Sequence, residues 1–250
     1  MKRIILFLYQ FLIWLPVFFA ITTLTALITI IGCTCGGERI FGYYPGAIWS
    51  RLVCIISLCP VKVIGKEKLN GKQSCIFVSN HQGAYDIFLI FGYIKQPIKW
   101  VMKQSLRKIP LVGYACERAG FIFVDNSSVQ AAAKTIQIAE TKLKNGASIA
   151  IFPEGSRTDT GKMGKFKKGA YQMALNLKLP LVPVTINGSF NILPIHTCLI
   201  HPHKMELIIH DPIETGSIQV ENIRETTLKI KELIDKSRAA IESGLWKEYQ

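Results

Sequence analysis

Cys75-Ile76-Phe77-Val78-Ser79-Asn80-His81-Gln82-Gly83-Ala84-Tyr85-Asp86-Ile87 is the stretch that decides how this chain is read. Its apolar run Cys75 to Val78 makes a short buried strand, and the apolar run from Ile87 to Ile94 makes a helix. His81 therefore stands at a strand's carboxyl end, the edge at which open α/β sheets place their chemistry. Asp86, five residues on, folds back from the start of the helix to hydrogen-bond one imidazole nitrogen, which leaves the other as a general base. A His and an Asp that merely solvate a turn fit the same spacing, so the stretch alone leaves both readings open.

Downstream the chain keeps alternating strand and helix, without internal repeat or low-complexity tract. After a first strand at Val61–Gly65, strands are expected at Ser74–Ser79, Ile98–Met102, Gly120–Val124, Ala147–Phe152, Leu181–Ile186 and Met205–His210. Helices are expected at Ala84–Ile94, Val129–Asn145, Lys167–Asn176 and Val220–Ser243. Short apolar strands separated by helices predict the α/β class, with a mostly parallel central sheet covered by helices on both faces.

Upstream the pattern is different. From Ile4 to Gly37 no residue is charged, and Ile4 to Ile31 is almost continuously apolar, more than the roughly 20 residues a helix needs to cross a bilayer. A secretory signal has a shorter apolar core of about 7–15 residues, so the segment reads as an N-terminal hydrophobic helical membrane anchor. Lys2 and Arg3 beside it put its amino terminus in the cytoplasm. A second apolar stretch, Ile40 to Val61, is interrupted by Pro45, Gly46 and Arg51. It is expected to return along the first as a hairpin arm or to lie at the interface. Residues 1–60 are thus expected to anchor, and 61–250 to form the catalytic domain. Hydrophobic residues make up 49% of the 250, and the net charge is +13, with the basic residues arriving beside apolar segments. That combination fits an anionic membrane surface or substrate and excludes a nucleic-acid-binding arm. The seven cysteines are odd in number and scattered, which argues against a disulfide framework.

A second motif, Phe152-Pro153-Glu154-Gly155-Ser156-Arg157-Thr158, lies at another strand exit. Pro and Gly around a carboxylate make a tight, backbone-exposing turn, and Arg157 offers a fork of donors suited to phosphate. A surface Glu–Arg pair on a loop is the plainer alternative.

Together, Asn80-His81-x-x-x-x-Asp86 and Phe152-Pro153-Glu154-Gly155-Ser156-Arg157 resemble the glycerolipid acyltransferase family, in particular its bacterial 1-acyl-glycerol-3-phosphate acyltransferases. Lys103-x-x-Leu106-x-x-x-Pro110-x-x-Gly113 with Gly120 to Asp125 is similar to the family's second block, and Leu181-Val182-Pro183-Val184 to its fourth. The resemblance implies transfer of a fatty acyl group from acyl-CoA or acyl carrier protein to the free hydroxyl of a lysophospholipid. That acceptor would be lysophosphatidate and the product phosphatidate, made at the cytoplasmic face of the bacterial inner membrane. It implies His81 as base, Asp86 as its partner, and Asn80, Lys103, Glu154, Gly155, Ser156 and Arg157 as substrate-binding residues, with no metal and no cofactor. One position departs: the family's second block usually ends in arginine, and here Asn126 stands there.

Other classes remain open on the residues alone. His196, His201, His203 and His210 crowd one region as metal ligands would. Ser156 lacks the Gly-x-Ser-x-Gly setting of a serine hydrolase. Acyl transfer to glycerol 3-phosphate or another lysolipid, and a non-catalytic lipid-binding protein, complete the alternatives.

Overall fold

The computed structural model describes residues 2–69, 71, 73–124, 138–139, 143, 146–195, 197–217 and 222–244. The helix expected over Val129–Asn145 lies largely outside the described residues.

The chain begins with a long helix in two α-helical parts, α1 (Lys2–Tyr9) and α2 (Leu15–Thr34), joined by a π-helical turn at Gln10–Trp14. Pro16 accounts for that turn. It has no N–H to close an α-helical bond and crowds the carbonyl four residues back, so the backbone widens locally without ending the helix. The stretch from Arg3 to Thr34 is long and apolar enough to cross a bilayer. Part of it packs on the rest of the molecule: Ala26, Thr29, Gly32 and Cys33 are buried, while Phe7, Phe11, Phe19, Leu24 and Ile31 remain exposed. Gln10, a polar residue in this apolar run, makes a two-way bond with the backbone of Ile200. Its Oε1 accepts from the Ile200 N–H at 3.0 Å, and its Nε2 donates to the Ile200 carbonyl. An amide buried so would be costly unpaired, which explains why it docks here.

A short helix α3 (Glu38–Phe41) turns the chain into α4 (Tyr44–Ile56). Pro45 does not break α4, because it stands in the first turn, where an N–H has no partner to lose. With 13 residues α4 is about 20 Å long, short of the roughly 30 Å hydrocarbon core. It packs back along α2, where the Trp49 indole N–H donates to Thr22 Oγ1 at 2.9 Å.

The sheet has seven strands in the order β1-β7-β6-β2-β5-β3-β4. They are β1 (Val61–Ile64), β2 (Ile76–Ser79), β3 (Ile98–Lys103), β4 (Ile122–Val124), β5 (Ser148–Ile151), β6 (Leu181–Asn187) and β7 (Met205–Ile209). Every neighbouring pair is parallel except β6 with β7, so β1 and β7 run against the other five. The sheet is therefore mixed and mostly parallel, as the alternation predicts, and each strand falls within two residues of its expected ends. Helices α5 (Asp86–Tyr93), α7 (Gly169–Leu177) and α8 (Ile223–Glu242) also fall where the sequence puts them. The seven-residue helix α6 (Val112–Arg118) was not foreseen.

Strand period sets the two faces. Phe77 points into a core shared with Val53 of α4 and Leu89 and Ile90 of α5. Its neighbours Ile76 and Val78 point into a second core, with Tyr171 of α7 and Ile230 and Ile234 of α8. Helices thus cover both faces, and residues on either side of Pro60 share one core.

Candidate active site

The parallel strands β2 and β5 are neighbours in the sheet, and both motifs leave from their carboxyl ends. That register brings together residues far apart in sequence. Asp86, the first residue of α5, is fully buried. Its Oδ2 accepts from the backbone N–H of Gln82 at 2.6 Å and of Gly83 at 2.9 Å, and sits 2.9 Å from His81 Nδ1. A carboxylate accepts only, so the His81 proton is placed on Nδ1 and Nε2 is left as the ring's acceptor. Gly83 lets the loop pass close to the segment after β6, because a Cβ there would lie 2.7 Å from the Ser189 carbonyl oxygen.

The ring is also held from below. Phe152, the residue after β5, stacks on it with centroids 4.0 Å apart and planes at 9°, and Trp100 of β3 stacks on Phe152 in turn. Tyr85 is buried, and its hydroxyl lies 2.7 Å from Ser57 Oγ, which accepts the Trp14 indole N–H at 2.8 Å. Burial pushes the Tyr85 phenol up, so it stays neutral.

His81 opens onto a groove of about 970 Å³. Thr22, Ala26 and Thr29 of α2 form one side, Val112 and Ala115 of α6 another, with Trp100 and Met102 of β3 beside them. Lys103, Gly155, Ser156, Arg157 and Lys167 line it as well. Gly155 has φ +80°, the left-handed conformation that the tight turn after β5 requires. Cys116 also lines the groove, but burial pushes its thiol up to about 11, so it is no thiolate at neutral pH.

The predicted residues thus divide in two. Those named above share the groove with His81, whereas Asn80, Asp86 and Glu154 stand behind it. The Asn80 side chain continues the β2–β6 ladder: Nδ2 donates to the Ile186 carbonyl and Oδ1 accepts from the Ile186 N–H, each at 2.8 Å. Glu154 accepts two backbone N–H groups, of His81 at 2.6 Å and of Gly164 at 2.7 Å. Sequence reasoning missed Phe152 as a contact of the ring, although an aromatic residue just ahead of Pro-Glu was the available signal. It also missed α6 as a wall of the groove, which no local pattern announces. Asn126 and His196 lie outside the described residues. Of the other candidate ligands, His210 Nε2 is 2.8 Å from Thr185 Oγ1 and His203 Nδ1 is 2.8 Å from the Lys204 carbonyl oxygen. Among the described residues no three His, Cys, Asp or Glu side chains converge as metal ligands would.

Fold and site define an α/β protein that carries a carboxylate-backed imidazole in the wall of a large apolar groove. A family model described as Acyltransferase matches residues 60–187, and the chain belongs to that family. Among curated relatives, a 1-acyl-sn-glycerol-3-phosphate acyltransferase of Pseudomonas aeruginosa is 34% identical over 143 residues, covering 57% of this chain and 54% of the relative. A chloroplastic one of Brassica napus is 30% identical over 178 residues, covering 70% and 51%. The chain therefore spans about half the length of these relatives. The crystal structure of the LPA acyltransferase PlsC from Thermotoga maritima superimposes with a TM-score of 0.80 at 24% identity, covering 96% of both chains, which establishes the fold.

Proposed function

We propose that the chain is a 1-acylglycerol-3-phosphate O-acyltransferase that moves a fatty acyl group from acyl-CoA or acyl carrier protein to lysophosphatidate. The observation that carries this reading is the His81–Asp86 contact of 2.9 Å in the wall of an apolar groove.

The chemistry asks for little beyond that contact. A thioester is already activated, so no enzyme nucleophile is needed, and the demanding step is deprotonating and positioning an alcohol. His81 Nε2 takes the acceptor's hydroxyl proton as the oxygen attacks the thioester carbonyl. Asp86 keeps Nδ1 protonated and stabilises the imidazolium. Collapse of the tetrahedral intermediate breaks the carbon–sulfur bond, and the departing thiolate takes the proton from Nε2. Lys103, Gly155, Ser156 and Arg157 hold the acceptor's phosphate and glycerol, supported by the cationic side chains and the exposed turn that share the groove with His81. The acyl chains occupy the apolar part of the groove.

The helix from Arg3 to Thr34 supports membrane attachment of residues 1–60, with residues 61–250 carrying the chemistry. Lys2 and Arg3 at the start of that helix support the cytoplasmic face of a bacterial inner membrane. The groove between α2 and the sheet then admits a lysolipid from the bilayer and a thioester from water.

His81→Ala tests the reading. Acyl transfer from acyl-CoA to lysophosphatidate should fall by at least about a hundredfold, the contribution of one positioned base, with the protein still folded and sedimenting with membranes. Near-normal turnover would exclude His81 as the base. An acceptor panel completes the test: lysophosphatidate should be used in preference to glycerol 3-phosphate and to lysolipids with neutral headgroups.

A further inference from the structure

We infer that Glu154 is a positioning residue that fixes the backbone of His81, and that it does not bind the acceptor; the inference rests on the acyltransferase reading of this site. Both backbone polar groups of His81 are held by the segment that follows β5. Its N–H donates to Glu154 Oε1 at 2.6 Å, and its carbonyl accepts from the Thr158 N–H at 3.2 Å. The other oxygen of Glu154 accepts from Gly164 N–H at 2.7 Å, and the Lys167 N–H closes that loop onto the Pro153 carbonyl at 2.9 Å. Each carboxylate oxygen thus already holds a backbone N–H at the short distance of a charge-assisted bond, and the residue is 9% exposed.

The consequence is geometric. Phe152 lies under the imidazole, Asp86 holds Nδ1, and Glu154 holds the main chain from which the ring projects. A base must stay within hydrogen-bond reach of the proton it takes, so a main chain free to shift by even an ångström loses rate without losing substrate. Glu154 acts as a cross-strand brace between the exits of β2 and β5. It has a second end, at Gly164, that sequence inspection would not suggest.

The test separates bracing from acceptor binding. In Glu154→Gln one end of the brace becomes an N–H donor that meets a backbone N–H. We expect kcat to fall about tenfold or more, with KM for lysophosphatidate within about threefold of the wild type. The slow hydrolysis of acyl-CoA without acceptor should fall by the same factor, because water then uses the same base. Glu154→Asp keeps the carboxylate but is one methylene too short to reach both the His81 N–H and the Gly164 N–H. It should show the same split, and it reads the brace if Glu154→Gln does not fold. A rise in the KM for lysophosphatidate with kcat and hydrolysis unchanged in either variant would overturn the inference. Failure of the wild-type chain to acylate lysophosphatidate would instead remove the acyltransferase reading, and it is seen before any variant is made.

Discussion

Asp86 Oδ2 gathers three donors at one buried atom, the His81 ring and the amides of Gln82 and Gly83. The same atom therefore shapes the loop and sets the tautomer of the His81 ring. Asp86→Asn separates those duties: an amide of the same shape still offers one acceptor, but it neither enforces the proton on Nδ1 nor stabilises an imidazolium. Steady-state release of CoA is expected to drop on the order of a thousandfold, with the acceptor KM little changed. A loss below tenfold would show that the carboxylate only holds the loop. At this scale the sequence was legible where the contact is local, since five residues from a strand end to a helix start return a side chain to the same turn. It was not legible for Asn80 and Glu154. Their partners are backbone groups of Ile186, His81 and Gly164, and a sequence of side chains does not say which N–H groups the fold will bring near.

Elements read well where their periodicity was long and poorly where they were short. The apolar strands are continuous because helices bury both faces, whereas α6 has only seven residues and carries a glycine at its second position. The reversed direction of β7 was also hidden, since a buried strand looks the same in either orientation. That reversed pair carries a buried polar contact, His210 Nε2 with Thr185 Oγ1 at 2.8 Å. Burial lowers the His210 pKa to about 4, and the Lys68 ammonium adds to the effect. The folded protein thus keeps His210 neutral over a range in which the unfolded chain, with the ordinary value near 6.5, takes up a proton. Unfolding is favoured as pH falls through 6.5, and the loss levels off below about 4, at a few kcal/mol in total. Thermal melts between pH 7 and 4.5 should fall more steeply for the wild type than for His210→Gln, which has no proton to gain. Parallel curves would mean that His210 is protonated in the folded state.

The molecule as a whole presents one extended apolar surface and a net charge of +13, and the two belong together. The outward residues of α1, α2 and α4 are part of that surface, but it does not end with the N-terminal 60 residues. Helix α6 packs against α2, and the turn leading into it exposes Leu106 and Ile109, with Tyr114 exposed on α6 itself. Arg107 and Lys108 sit between these apolar side chains, the arrangement that places aliphatic groups among acyl chains and cations among anionic headgroups. The turn should therefore enter the bilayer beside α2, near the mouth of the groove that Leu106 helps to line. Ile109 does not line the groove, which makes it the clean probe. Burying one such side chain is worth about 1.5–3 kcal/mol, so Ile109→Asp should weaken partition onto phosphatidylcholine–phosphatidylglycerol vesicles by about tenfold or more. Sedimentation at limiting lipid measures this, and acyl transfer with substrates in detergent micelles should stay at the wild-type rate. Unchanged partition would keep the turn in water and confine membrane contact to the N-terminal helices. A matching loss of micellar activity would mean instead that the substitution had disturbed the groove.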